Sequence, residues 1–146
     1  MKNKIVKNLN QCWDFKNSSD TEWLKADVPG CVHTDLLLNN KISDPFKGLN
    51  EIELQWVSDK NWIYRKRFSV DDDIFKMEFI ILRFQGLDTY STIFLNGNEI
   101  LKTDNMFHPW EVHVKEHLRI GENDLIIEFE SPIQKILPKM KDMDYE

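Results

Sequence analysis

Two cysteines and five glycines among 146 residues leave little room for two common designs. Cys12 and Cys31 are too few to staple a chain of this length, so they read as two unpaired, buried thiols and not as a disulfide framework. The glycines are scattered and sit mostly in turn contexts, with neither a phosphate-cradling loop nor a G-x-S-x-G nucleophile elbow among them. No segment approaches 18 consecutive apolar residues, and the opening MKNKIVKNLNQCWDF never reaches the apolar core of an export signal. The sequence as it stands therefore reads as soluble and unattached to a membrane. Basic charge is also short: the net charge is −6, and Arg65, Lys66 and Arg67 form the only brief basic cluster, which disfavours nucleic acid as a partner. No repeat of 20–50 residues appears, which argues against a solenoid or propeller.

What the chain does have is a hydrophobic content of 41% and five tryptophans. At this length one domain is expected, burying about 68–70% of the surface that the unfolded chain exposes. From residue 62 onward the period is two. In WIYRKRFSV, Trp62, Tyr64, Phe68 and Val70 share one face with Lys66 as the single interruption, while Arg65, Arg67 and Ser69 share the other. EFIILRF is short and apolar throughout, which predicts an interior strand packed on both faces. Gly86 is expected to open a strand through DTYSTIFL, with Ile93 and Leu95 on one side and Tyr90 and Phe94 on the other. Asn96-Gly97 then matches a type I′ turn, and NEILKT is the return arm of the hairpin. DNMFHPW reads as a loop, EVHV as a strand, and NDLIIEFE as a strand with Leu125, Ile127 and Phe129 inward and Ser131-Pro132 at its end. Upstream, CWDF predicts a short strand, VPG a turn, and residues 31–38 a short helix with Leu36 and Leu37 inward and Asn39 or Asn40 near its end. The tail PIQKILPKMKDMDYE, with two prolines and many charges, does not read as a core element. Strands at regular spacing with one short helix predict an all-β, antiparallel sandwich.

Candidate chemistry is sparse. His113 and His117 stand four apart, but on a strand that separation is about 13 Å, too far to share a metal ion. No cofactor is expected. His33 joins a network at the helix start or is a plain structural histidine. Asp88 beside Thr89 is expected to bond nearby backbone. Trp56, Trp62 and Trp110 fill the core, or stack on a sugar ring where one is exposed at a loop end. With 25 acidic residues, no carboxylate pair stands out. Asn96 either simply turns the chain or also meets a ligand from the hairpin tip.

Six segments, VPGCVHTDLL, ISDPFKGLNEIELQWV, NWIYRKRF, FQGLDTYSTIFLNG, TDNMF and LRIGENDLIIEFESPI, occur in an order and spacing that resembles the N-terminal part of the β-mannosidases of glycoside hydrolase family 2. The similarity runs from about residue 12 to residue 138, leaving 1–11 as an extension and 139–146 as a tail. It implies a jelly-roll sandwich of the galactose-binding-like type that lacks its closing strands and is itself non-catalytic. In the family an immunoglobulin-like sandwich and a (β/α)8 barrel follow, the barrel carrying the two glutamates of a retaining mechanism that removes β-D-mannose from non-reducing ends. Family members also carry a Gly-Trp-Asp-Trp-Gly motif after the SPI segment, and the sequence reaches Glu146 without one. By the same resemblance the domain scaffolds the enzyme and walls the active-site mouth, with Asn96 as its expected substrate contact. The implied partners are the remaining domains of a parent enzyme, and unpaired strand edges imply self-association of the isolated chain. A free-standing carbohydrate-binding module is the alternative.

Overall fold

Alternation of apolar and polar side chains puts one row of large residues on a common face. In the computed structural model, which describes residues 4–141, that row crosses four strands: Phe15 pairs with Tyr64, Tyr64 with Ile127, and Ile127 with Ile93. These residues belong to β1 (Trp13–Asn17), β3 (Trp62–Val70), β8 (Gly121–Phe129) and β5 (Ser91–Leu95). With β2 (Leu24–Ala26) on one edge and β6 (Asn98–Thr103) on the other, they form a six-stranded antiparallel sheet in the order β2-β1-β3-β8-β5-β6. Phe15 and Ile93 are completely buried, and the Phe15 ring stacks on Tyr64 at 5.4 Å. Burying each such side chain contributes about 1.5–3 kcal/mol. Lys66, the polar interruption on the inward face, reaches past the core edge and donates to the carbonyl of Gln11 at 2.8 Å.

Facing this sheet is a two-stranded antiparallel ladder of β4 (Ile81–Phe84) and β7 (Trp110–His113). Phe84 points into the shared core with Leu87, Val114 and Leu118. The expectation of a strand covered on both faces fails here, since Ile81 is 49% exposed and Phe79 is also exposed. An unbroken apolar run reports only that many faces are apolar, not how many strands flank it, and among the described residues β4 pairs only with β7. The next strand likewise starts at Ser91 and not at Gly86, because residues 85–90 form a loop.

The helix α1 (Val32–Leu38) lies where the sequence predicts it. The Thr34 hydroxyl donates to the Cys31 carbonyl at 2.8 Å, and Asn39 ends the helix. Leu36 is buried, but Leu37 is exposed. The inward neighbour of Leu36 is instead Asp35, whose carboxylate accepts from Asp27 N–H at 2.9 Å and from the Tyr64 hydroxyl at 2.8 Å. One helix was expected, and among the described residues three more short ones occur: α2 (Asn50–Glu53), α3 (Asp72–Phe75) and α4 (Pro132–Lys141). The helix α3 is capped by the Asp71 carboxylate, which accepts from Ile74 N–H at 3.0 Å. In α4 the prolines do not prevent a helix, since Pro132 opens it, where a missing N–H costs nothing, and Pro138 is accommodated inside it. Residues 142–146 of the predicted tail and 1–3 of the extension lie outside the described residues. Both cysteines are unpaired as expected, but exposed and not buried. No helix of the described residues is long and apolar enough to cross a membrane.

Candidate functional site

Asn96 and Gly97 both adopt positive φ, 51° and 84°, which is what the tight β5–β6 turn demands and what Asn and Gly tolerate best. The Asn96 side chain, however, is fully engaged within the fold. Its amide donates to His117 O at 2.7 Å and to Asn123 Oδ1 at 2.8 Å, and its oxygen accepts from Asp124 N–H at 2.9 Å. Asn123, almost completely buried, continues the knot by donating to the carbonyls of Arg119 (2.8 Å) and Gly121 (3.0 Å) and accepting from Arg119 N–H (2.9 Å). The hairpin tip is thereby tied to the turn that precedes β8. The sequence analysis missed Asn123, although its strand phase, shared with Leu125 and Ile127, already placed a polar group on the inward face.

Around this knot lies an open cleft of about 350 Å³ lined by Arg67, Asn96, Arg119, Glu122, Asn123 and Asp124. Arg67 and Asp124 are direct cross-strand partners on the outward face. The groups left for a ligand here are charged side chains, because the two asparagines spend their hydrogen bonds inside the protein.

The opposite end of β5 differs. One five-residue strand away, about 16 Å, the 85–90 loop meets residues 104–109. Ser91 and Thr103 hydroxyls bond at 2.6 Å, and Thr103 donates to Thr89 O at 2.9 Å, joining the two loops. Asp88 is exposed and is bonded by the Thr89 hydroxyl, not by nearby backbone as expected. The indole of Trp110 donates to Asn105 O at 2.9 Å, and the His108 ring lies 4.4 Å from it. Phe107 is 88% exposed. An exposed carboxylate, an imidazole and the bare Phe107 ring in these two joined loops are groups of the kind that sugars meet on protein surfaces.

The remaining candidates are dispersed. Trp62 is buried as expected, Trp110 is half-buried, and Trp56, expected in the core, is 39% exposed with its ring 6.3 Å from Trp62. His33 is half-buried at the start of α1. His113 lies exposed on β7 with its ring 6.2 Å from Phe79, while His117 contributes its backbone carbonyl to Asn96. Among the described residues no group of three or more His, Cys, Asp or Glu side chains converges on a metal-sized site.

The same stretch of chain recurs in known proteins. Residues 13–146 match the family described as glycosyl hydrolase 2 galactose-binding domain-like. The chain is 41% identical over 127 residues to β-mannosidase B of Emericella nidulans, a match covering 84% of this chain and 15% of that protein. It superposes with a TM-score of 0.91 and 48% identity on the crystal structure of β-D-mannosidase from Dictyoglomus thermophilum, covering 94% of this chain and 17% of that one. An exo-chitosanase of Amycolatopsis orientalis, with a TM-score of 0.73 at 17% identity, shares the fold. This chain spans about 15% of the length of the curated relatives it matches.

Proposed function

This chain belongs to the glycosyl hydrolase 2 galactose-binding domain-like family, and from that premise we propose that it serves as the non-catalytic N-terminal sandwich of a β-mannosidase. In this reading the parent enzyme hydrolyses non-reducing-end β-D-mannosides with retention, using two carboxylates of a (β/α)8 barrel supplied by other domains. The sandwich scaffolds that barrel and walls its mouth. The observation that carries the reading is the 48% identity with a TM-score of 0.91 to the Dictyoglomus β-D-mannosidase over 94% of this chain.

Of the two ends of β5, the one near Asp88 and Phe107 has an exposed carboxylate and an exposed aromatic ring, and we assign it the wall nearest the sugar. Asn96, expected as the substrate contact, serves in this reading by holding the hairpin and the cleft wall in place through its three internal side-chain bonds. Grafting residues 13–141 into the Dictyoglomus enzyme in place of its own matching segment tests the proposal. The chimera is expected to hydrolyse an aryl β-mannoside, and a folded chimera without turnover overturns it.

Exposed Phe107 and Trp56 favour a second reading, a carbohydrate-binding module acting alone. Calorimetric titration of this chain with mannose and manno-oligosaccharides separates the two. The scaffold reading expects no binding, and millimolar or tighter binding supports the module.

A further inference from the structure

The helix α4 is mounted inside out. Among the described residues its hydrogen bonds to the sandwich start at Ser131, the residue before it, which donates through Oγ to Ser58 O at 2.7 Å and through N–H to Asn61 Oδ1 at 2.7 Å. Gln134 donates to Asp59 O at 2.6 Å, and the Lys135 ammonium lies 3.0 Å from Glu130 and 4.8 Å from the centre of the Tyr90 ring. Ile133, Ile136, Leu137 and Met140 follow the i, i+3, i+4, i+7 spacing that makes a single apolar stripe. At 100° per residue that stripe falls on the side of the helix away from Ser131, Gln134 and Lys135. All four side chains are between 40% and 56% exposed. A surface helix built only for its own domain turns the stripe inward, and this one turns it outward.

We infer that the α4 stripe is a docking surface for an apolar face on the remaining polypeptide of the parent enzyme, an inference that rests on the function proposed above. Two physical arguments favour that occupant. An isolated helix of ten residues is marginal in water, and an internal proline weakens it further, so α4 depends on tertiary contacts that the polar anchors alone supply poorly. Area then decides between occupants. A ten-residue helix is about 15 Å long and about 10 Å wide, so its stripe buries only a few hundred Å² against a partner, well below the 1,200–2,000 Å² or so of a stable separate complex. A second copy of this chain is held too weakly by such a patch. A segment of the same polypeptide is present at an effective concentration near about 1 mM, where a small contact suffices. The curated relatives supply such a polypeptide, since this chain spans only about 15% of their length.

The test compares the isolated chain with the Dictyoglomus chimera, each with and without the double substitution I136A/L137A. Alanine keeps or raises helix propensity, so the substitution removes apolar bulk without unwinding α4, which circular dichroism of the isolated chain verifies. Trypsin cleavage after Lys135 and Lys139 reads the state of the helix. Protection in the chimera relative to the isolated chain, with cleavage at least about tenfold faster in the I136A/L137A chimera, is the expected result. Equal cleavage in the isolated chain, the chimera and its variant overturns the inference. So does a dimer of the isolated chain in sedimentation velocity that I136A/L137A dissolves, because the occupant is then a second copy. Protection does not depend on turnover, so a folded but inactive chimera counts against the β-mannosidase reading while the cleavage rates still judge the docking.

Discussion

Replacing Asn96 tests whether the hairpin tip is a structural knot or a ligand contact held out to solvent. In Asn96→Ala the fold loses three side-chain hydrogen bonds, to His117 O, Asn123 Oδ1 and Asp124 N–H. Each bond contributes about 0.5–1.5 kcal/mol net, and more where a partner is left buried and unpaired. Asn123 is nearly inaccessible to water but keeps Arg119 N–H as a donor, so the three together are worth about 3 kcal/mol. Alanine at a φ of 51° adds a conformational penalty of about 1 kcal/mol. The expected total is about 4 kcal/mol, or a fall in Tm of about 12–16 °C for a domain of this size. Asn96→Gly removes the same bonds without the conformational penalty, and is expected to cost about 3 kcal/mol. Urea denaturation of the three proteins supplies both numbers. An Asn96→Ala protein within about 0.5 kcal/mol of the unsubstituted chain refutes the knot and returns Asn96 to the surface as a candidate sugar contact.

Phe15→Ala empties the centre of the large sheet, where the ring is wholly buried against Trp62 and Tyr64, and is expected to destabilise by about 3–5 kcal/mol in the same denaturation assay. Tyr64→Phe removes the hydroxyl that donates to Asp35 and is expected to cost about 1–3 kcal/mol, as judged by thermal melting. Burial raises the Asp35 carboxyl above the ordinary carboxylate range against the opposing pull of its hydrogen bonds from Asp27 N–H and Tyr64. A folded value above the unfolded one makes its contribution complete below the unfolded pKa, near about 3.9, and lost as pH rises through the folded value. The stability difference between the unsubstituted chain and Asp35→Asn is therefore expected to shift toward the asparagine protein as pH rises through that window, and a pH-independent difference refutes the assignment. Gly30→Ala is expected to destabilise, because a Cβ there would collide with the backbone carbonyl of Asp27 at the entrance to α1, and a melting curve unchanged from that of the parent chain would show that the turn yields freely.

The hairpin at Asn96-Gly97, the strands through Trp13, Trp62, Leu95 and Leu125, and the helix α1 were legible because each rests on nearest-neighbour chemistry: left-handed φ tolerance, two-residue alternation, an asparagine near a helix end. The galactose-binding-like fold of the glycoside hydrolase 2 family was legible in the order of six segments, none of which identifies it alone. The EFIILRF strand was misjudged for a reason that pattern reading cannot repair. Period and composition describe one chain segment, while the exposure of Ile81 depends on how many other strands come to lie beside it. Asp35 was passed over because a carboxylate in an exposed-looking helix gives no sign of the tyrosine 29 positions away that draws it inward.

The sequence by itself determined where the backbone turns, which residues alternate, and which family the chain resembles, since those properties are carried by neighbours along the chain. Only the tertiary structure decided that the Asn96 amide is consumed by His117, Asn123 and Asp124, that Asp88 and Phe107 are left exposed, and that α4 carries its apolar stripe outward. Those outcomes depend on pairings between residues 20 to 70 or more positions apart, such as Asn96 with His117 and Ser131 with Asn61, and a hydrogen bond across that separation leaves no periodic trace in the sequence.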